Sequence, residues 1–102
     1  MKQKEEVDIW NKCYQKAPDI VFRKITDKFI LVPIRHNVGD LESIYTLNEV
    51  SARIWELIDG KRNMGQIRDK IVDEFEVSPQ QAGEDLIEHL RQLEKIKAIT
   101  EI

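Results

Sequence analysis

The chain has 102 residues, room for one domain, and 41% of them are apolar, enough for a small core. Its net charge of −3 gives polyanions no general attraction, and no apolar run approaches the roughly 20 residues of a membrane span. Cys13 is the single cysteine, which excludes an internal disulfide and the usual zinc cluster; with no secretory signal at the start, a reducing cytoplasm is the expected compartment.

Lys2 to Glu6 make a charged, solvated start. Val7, Trp10 and Tyr14 then recur at helical spacing, with Ile9 and Cys13 beside them, so a short amphipathic helix is expected before Pro18. Residues 1–17 read as an N-terminal extension to a domain spanning 18–102. Two roles stay open for it: a segment resting on its own domain, or a contact surface for an enzyme or for a second subunit in a homodimer. Its removal is expected to leave a folded domain, because the core stripes lie after Ile20.

From Ile20 the pattern becomes that of strands. Ile20-Val21-Phe22-Arg23-Lys24-Ile25 is rich in β-branched and aromatic residues, and Thr26-Asp27-Lys28 fits a tight connection. Phe29-Ile30-Leu31-Val32-Pro33-Ile34 is a near-continuous apolar run, expected to be buried on most of both faces, with Pro33 near the strand end. After a loop from Arg35 to Asp40, Leu41 to Leu47 alternates as a third strand. The three read as an antiparallel meander.

Helices follow. Asn48 is an N-cap, and Val50, Ile54, Leu57 and Ile58 line one face of the helix it starts; Glu49 and Arg53 are spaced to pair, and Gly60 fits a left-handed stop. Asn63 and Gln66 form a capping box before the stripe Met64, Ile67, Ile71 and Phe75. Ser78 caps the last helix, Pro79 takes its first position, and Gln81 is placed to reach back as box partner; Ala82, Leu86, Leu90 and Leu93 make its core stripe. Lys97 to Ile102 can add a final short strand. The predicted fold is therefore α+β and winged-helix-like: a three-stranded antiparallel meander followed by three helices.

Chemistry finds no footing in this pattern. The glycines stand alone, so no phosphate loop exists, and neither His36 nor His89 has a carboxylate or nucleophile arranged around it. The expectation is a protein that is not an enzyme and needs no cofactor or metal. The rival reading is a winged-helix DNA-binding transcriptional regulator, whose last helix would enter the major groove. That helix begins with Glu84, Asp85 and Glu88 before its first base, Arg91, and would repel phosphates, so no nucleic-acid partner is expected. What remains is the free edge of the third strand, able to accept an extended peptide as an added strand.

Leu47-Asn48 through Ile54-Trp55-Glu56-Leu57 to Asp59-Gly60, then Ile67 to Val77, then Asp85-Leu86 through Leu90 to Leu93, resemble the PqqD family. The resemblance covers Pro18 to Ile99. It implies a domain that binds the leader of a ribosomally made precursor peptide and presents it to a modifying enzyme, such as the radical S-adenosylmethionine protein of pyrroloquinoline quinone synthesis. It also implies a groove between third strand and third helix, with peptide-binding positions Ser43, Ile44, Tyr45, Thr46 and Leu47 facing Asp85, Leu86, His89 and Leu93. Two departures stand out: His89 replaces an apolar or aromatic residue, making the groove more polar, and Ala98 replaces a glycine that commonly closes the third helix.

Overall fold

The computed structural model describes residues 9–34 and 44–102. The elements run β1 (Tyr14–Lys16), β2 (Ile20–Ile25), β3 (Lys28–Pro33), β4 (Tyr45–Leu47), α1 (Glu49–Leu57), α2 (Met64–Phe75), α3 (Pro79–Lys95) and β5 (Ile99–Glu101). The architecture is α+β, a three-stranded antiparallel sheet in the order β2-β3-β4 followed by three helices. Ile20 pairs with Pro33 and Ile25 with Lys28 across the hairpin; Leu31 pairs with Tyr45 and Phe29 with Leu47 on the other side of β3. Only Leu31 and Pro33 of β3 are fully buried, while Phe29, Ile30 and Val32 are half-buried. The apolar run is thus less enclosed than its composition predicts, since the helices cover only one side of so small a sheet.

Each helix starts where its cap chemistry places it. The Asn48 side chain accepts from the Ser51 N–H at 2.8 Å. Asn63 and Gln66 form the full capping box, at 2.8 and 2.9 Å. Ser78 Oγ accepts from the Gln81 N–H at 3.1 Å, but the Gln81 side chain donates forward to Asp85 Oδ1 at 3.0 Å instead of closing a box. The stops are less regular. Gly60 takes a φ of 79°, yet α1 has already ended at Leu57, with Ile58 as its cap. The Ala98 N–H bonds to the Leu93 carbonyl and the Lys97 N–H to that of Glu94, so Lys97, at a φ of 60°, fills the left-handed position a glycine usually takes. Ala98 follows it, fully buried, and leads into β5.

The core is one cluster in which Ile54, Ile58, Met64, Ile67, Ile71, Leu86, Leu90 and Leu93 are at most 1% exposed. Arg53 does not pair with Glu49. It reaches across to Glu74 of α2, Nε to Oε1 at 2.8 Å, and touches Glu56 of its own helix. That fork ties α1 to α2 and holds the Glu74 carboxyl below its ordinary range.

The N-terminal segment differs most from expectation. Tyr14–Lys16 is a strand, not the last turn of a helix, and it pairs antiparallel with β5, Tyr14 opposite Glu101. Tyr14 is 3% exposed and belongs to the core, so the core does not begin at Ile20. Burial, helped by the charges of Glu94 and Glu101, pushes its hydroxyl up to about 12. The carbonyls of Trp10 and Lys12 accept from the first two N–H groups of α2, Gly65 and Met64, each at 3.0 Å. They satisfy donors that a helix start leaves orphaned. The Trp10 ring lies against Gly83 of α3 and under the Arg68 guanidinium, 4.7 Å from the ring centre.

Candidate functional site

β4 is three residues long, ends in a buried Leu47, and hands directly to the capped start of α1. It pairs only with β3, so among the described residues its other edge is open. Between this edge and α3 lies a groove of ≈ 290 Å³. β4 contributes Tyr45 and Thr46 to its wall, the α1 start contributes Asn48, Val50 and Ser51, and α3 contributes Asp85, Glu88, His89 and Gln92. The α3 set falls on one stripe because positions three and four apart share a helix face.

The groove is held in shape by polar contacts across it. The Tyr45 hydroxyl donates to Gln92 Oε1, joining β4 to α3. The Tyr45 ring stacks loosely on the His89 ring, centroids 6.4 Å apart and planes 29° apart. Burial raises the Tyr45 hydroxyl pKa, with a further push from Glu88. His89 is 4% exposed, and burial lowers its pKa to about 4 against the opposing pull of the Ser51 backbone carbonyl. Its ring is therefore neutral near pH 7. Its Nε2 is buried without a hydrogen-bond partner.

Of the residues the resemblance nominates, Tyr45, Thr46, Asp85 and His89 come together in this groove. Leu47, Leu86 and Leu93 do not line it: they are 4%, 0% and 0% exposed, spent in the core beneath. Ile44, one residue before β4, is 57% exposed and outside the lining. Ser43 lies outside the described residues. Asn48, Val50, Ser51, Glu88 and Gln92 line the groove without having been nominated. Glu88 and Gln92 were within reach of sequence reasoning, at three and seven positions past Asp85. Asn48 and Ser51 were hidden by their capping role. A neighbouring dish of ≈ 450 Å³, lined by Glu88, Arg91, Gln92 and Lys95, continues the trough along α3. Among the described residues no three His, Cys, Asp or Glu side chains gather as metal ligands, and no helix is long and apolar enough to cross a membrane.

A small antiparallel sheet with an open edge strand, set beside a helix across a polar groove, is the architecture that holds the candidate site. The chain belongs to the coenzyme PQQ synthesis protein D (PqqD) family, whose model matches residues 29–99. Among solved structures it is similar to TbiB1 in complex with the TbiA(β) leader peptide, at 24% identity and a TM-score of 0.68, covering 83% of this chain and 93% of that one. At that identity the likeness speaks for the fold. No curated protein matches in sequence.

Proposed function

We propose that this protein binds the leader of a ribosomally made precursor peptide and presents it to a modifying enzyme, for which a radical S-adenosylmethionine protein is the candidate. The leader adds as a strand to the open edge of β4 and directs alternate side chains into the groove against α3. The observation that carries this reading is the unpaired edge of β4 lying directly beside a groove, in a chain of the PqqD family. A solved structure of the same fold was determined with a leader peptide, which supports it. In this reading the protein contributes binding and positioning, and the bond-making belongs to its partner. The competing reading, a DNA-binding regulator, would have to bring Asp85 and Glu88, which line the groove, towards phosphates.

Amide chemical-shift mapping with a leader peptide encoded beside this gene tests the proposal. The shifts of Tyr45 to Leu47 and of Asp85 to Gln92 are expected to move together and saturate. Perturbation confined to α2 or to residues 9–17, with β4 and α3 silent, would show that the groove is assigned to the wrong face.

A further inference from the structure

We infer that the face of the β2-β3-β4 sheet turned away from the helices docks the modifying enzyme, which meets it with an apolar patch bordered by carboxylates; this rests on the leader-binding reading and adds the surface through which the leader is presented. The register sets out the face. Across the β2–β3 pairing, Ile20, Phe22, Leu31 and Pro33 lie on one side, and Val21, Ile25, Ile30 and Val32 on the other. The first side is the covered one: Ile20 and Leu31 belong to the core, and Phe22 packs against it. On the second side, Val21, Ile30 and Val32 are half-buried and stand outside the core cluster. Three of the four exposed large apolar side chains among the described residues extend it: Ile25, Ile34 and Ile44, at 54%, 56% and 57% exposure. Ile34 follows β3 by one residue, and its N–H still bonds to the Asp19 carbonyl at 2.8 Å, so the ladder carries it to the side of Val32. Ile44 stands two positions before Thr46, which is paired opposite Ile30.

A sheet face left to water ordinarily alternates to polar residues. Single exposed apolar side chains are common, but here they gather on one face, and such a patch marks an interaction surface. Its charge says what covers it. Within the paired register the charged side chains of this face are Arg23 and Lys28, both exposed and neither in an ion pair among the described residues. A second copy would set bases against bases, whereas a partner with carboxylates around an apolar patch complements them. The paired register also puts no Trp, Tyr or Phe on this side to anchor in a bilayer interface, which favours a protein over a membrane. The face adjoins the candidate leader edge as well. Thr46 belongs to both, exposed on this side and lining the groove. A strand added along β4 turns every second side chain to this side, beside Ile44 and Thr46. An enzyme seated here therefore touches carrier and leader together, without entering the groove.

The test uses the full chain with a leader peptide and the modifying enzyme encoded beside this gene. Enzyme and leader affinities are measured by calorimetry, and leader contacts are mapped by amide shifts. The Val21→Thr, Ile25→Thr variant keeps β-branched residues on the strand farthest from β4, and an unchanged melting temperature shows that the fold survives. Expected is enzyme binding at least about tenfold weaker, with leader affinity changed less than about twofold. Arg23→Glu, Lys28→Glu should also weaken the enzyme at least about tenfold at low salt, and by less at high salt. Lys70→Glu, on α2, should leave it within about twofold. Leader shifts at β4 and α3 with no enzyme binding, or with enzyme affinity unmoved in both face variants, overturn this inference and leave the leader-binding reading standing. A wild-type dimer that the face variants break, or adhesion to phosphatidylserine vesicles that they abolish, overturns it in favour of a second copy or a lipid surface. A leader that leaves β4 and α3 silent sinks the leader-binding reading and this inference with it.

Discussion

Burial holds the His89 imidazole neutral, and that makes the folded protein sensitive to acid at one identifiable atom. In the unfolded chain this ring takes up a proton near pH 6.5, whereas in the fold it resists until about 4. The unfolded state therefore binds more protons between those values. The contribution is full above about pH 6.5 and is lost as the pH falls towards about 4, amounting to about 3 kcal/mol when complete. We expect the unfolding free energy of the wild type, minus that of His89→Phe, to fall on going from about pH 7 to about pH 4.5 in urea titrations. A constant difference would mean that the ring titrates freely in the fold. The same burial makes His89→Glu a poor probe of ligand binding, because it would place a carboxylate where the surroundings already disfavour charge. A loss of binding in that variant would report on stability first.

At the scale of elements, the helix starts obey local chemistry and were legible in the sequence, while two of the stops are strained. Asn63 with Gln66, and Ser78 with Pro79, announce α2 and α3 because a cap acts over three or four residues, well within what a sequence window shows. The stops place Glu76 and Lys97 in left-handed backbone, at φ of 54° and 60°, where a Cβ is disfavoured. Glu76 is exposed, so Glu76→Gly should relieve the strain and stabilise the fold by roughly 0.5–1 kcal/mol, read as a higher thermal midpoint. A lower midpoint would show that the Glu76 side chain makes a contact that outweighs its backbone. Other features were illegible because their partners come from elsewhere in the chain. Arg53 passes over Glu49 on its own helix for Glu74 on the next, a choice made by helix packing. The candidate site was half legible for the same reason. The resemblance implied Asp85, Leu86, His89 and Leu93 together; Asp85 and His89 line the groove, whereas Leu86 and Leu93 are needed by the core.

For the molecule as a whole, the first described residues are as much a part of the fold as the helices. Removing residues 1–17 would take away β1, expose the apolar surface under Tyr14, and strip the first N–H groups of α2 of their acceptors. Expected is a loss of more than about 3 kcal/mol, seen as a lower urea midpoint or as unfolding that is no longer cooperative. An unchanged midpoint would return this segment to the status of an extension. The helical spacing misled at Tyr14 because the partner of β1 lies at the far end of the chain, beyond any periodicity, while Val7 lies outside the described residues. That separation has a kinetic consequence. Tyr14 cannot meet Glu101 until nearly all the intervening chain has found its place, and closing so long a loop is entropically expensive before other contacts exist. The β1–β5 ribbon should therefore form after the folding barrier is crossed. Tyr14→Ala should accelerate unfolding while leaving the refolding rate almost untouched, giving a φ-value near zero. The two ends of the domain then act as a clasp, adding little to the speed of folding and governing how long the folded state lasts.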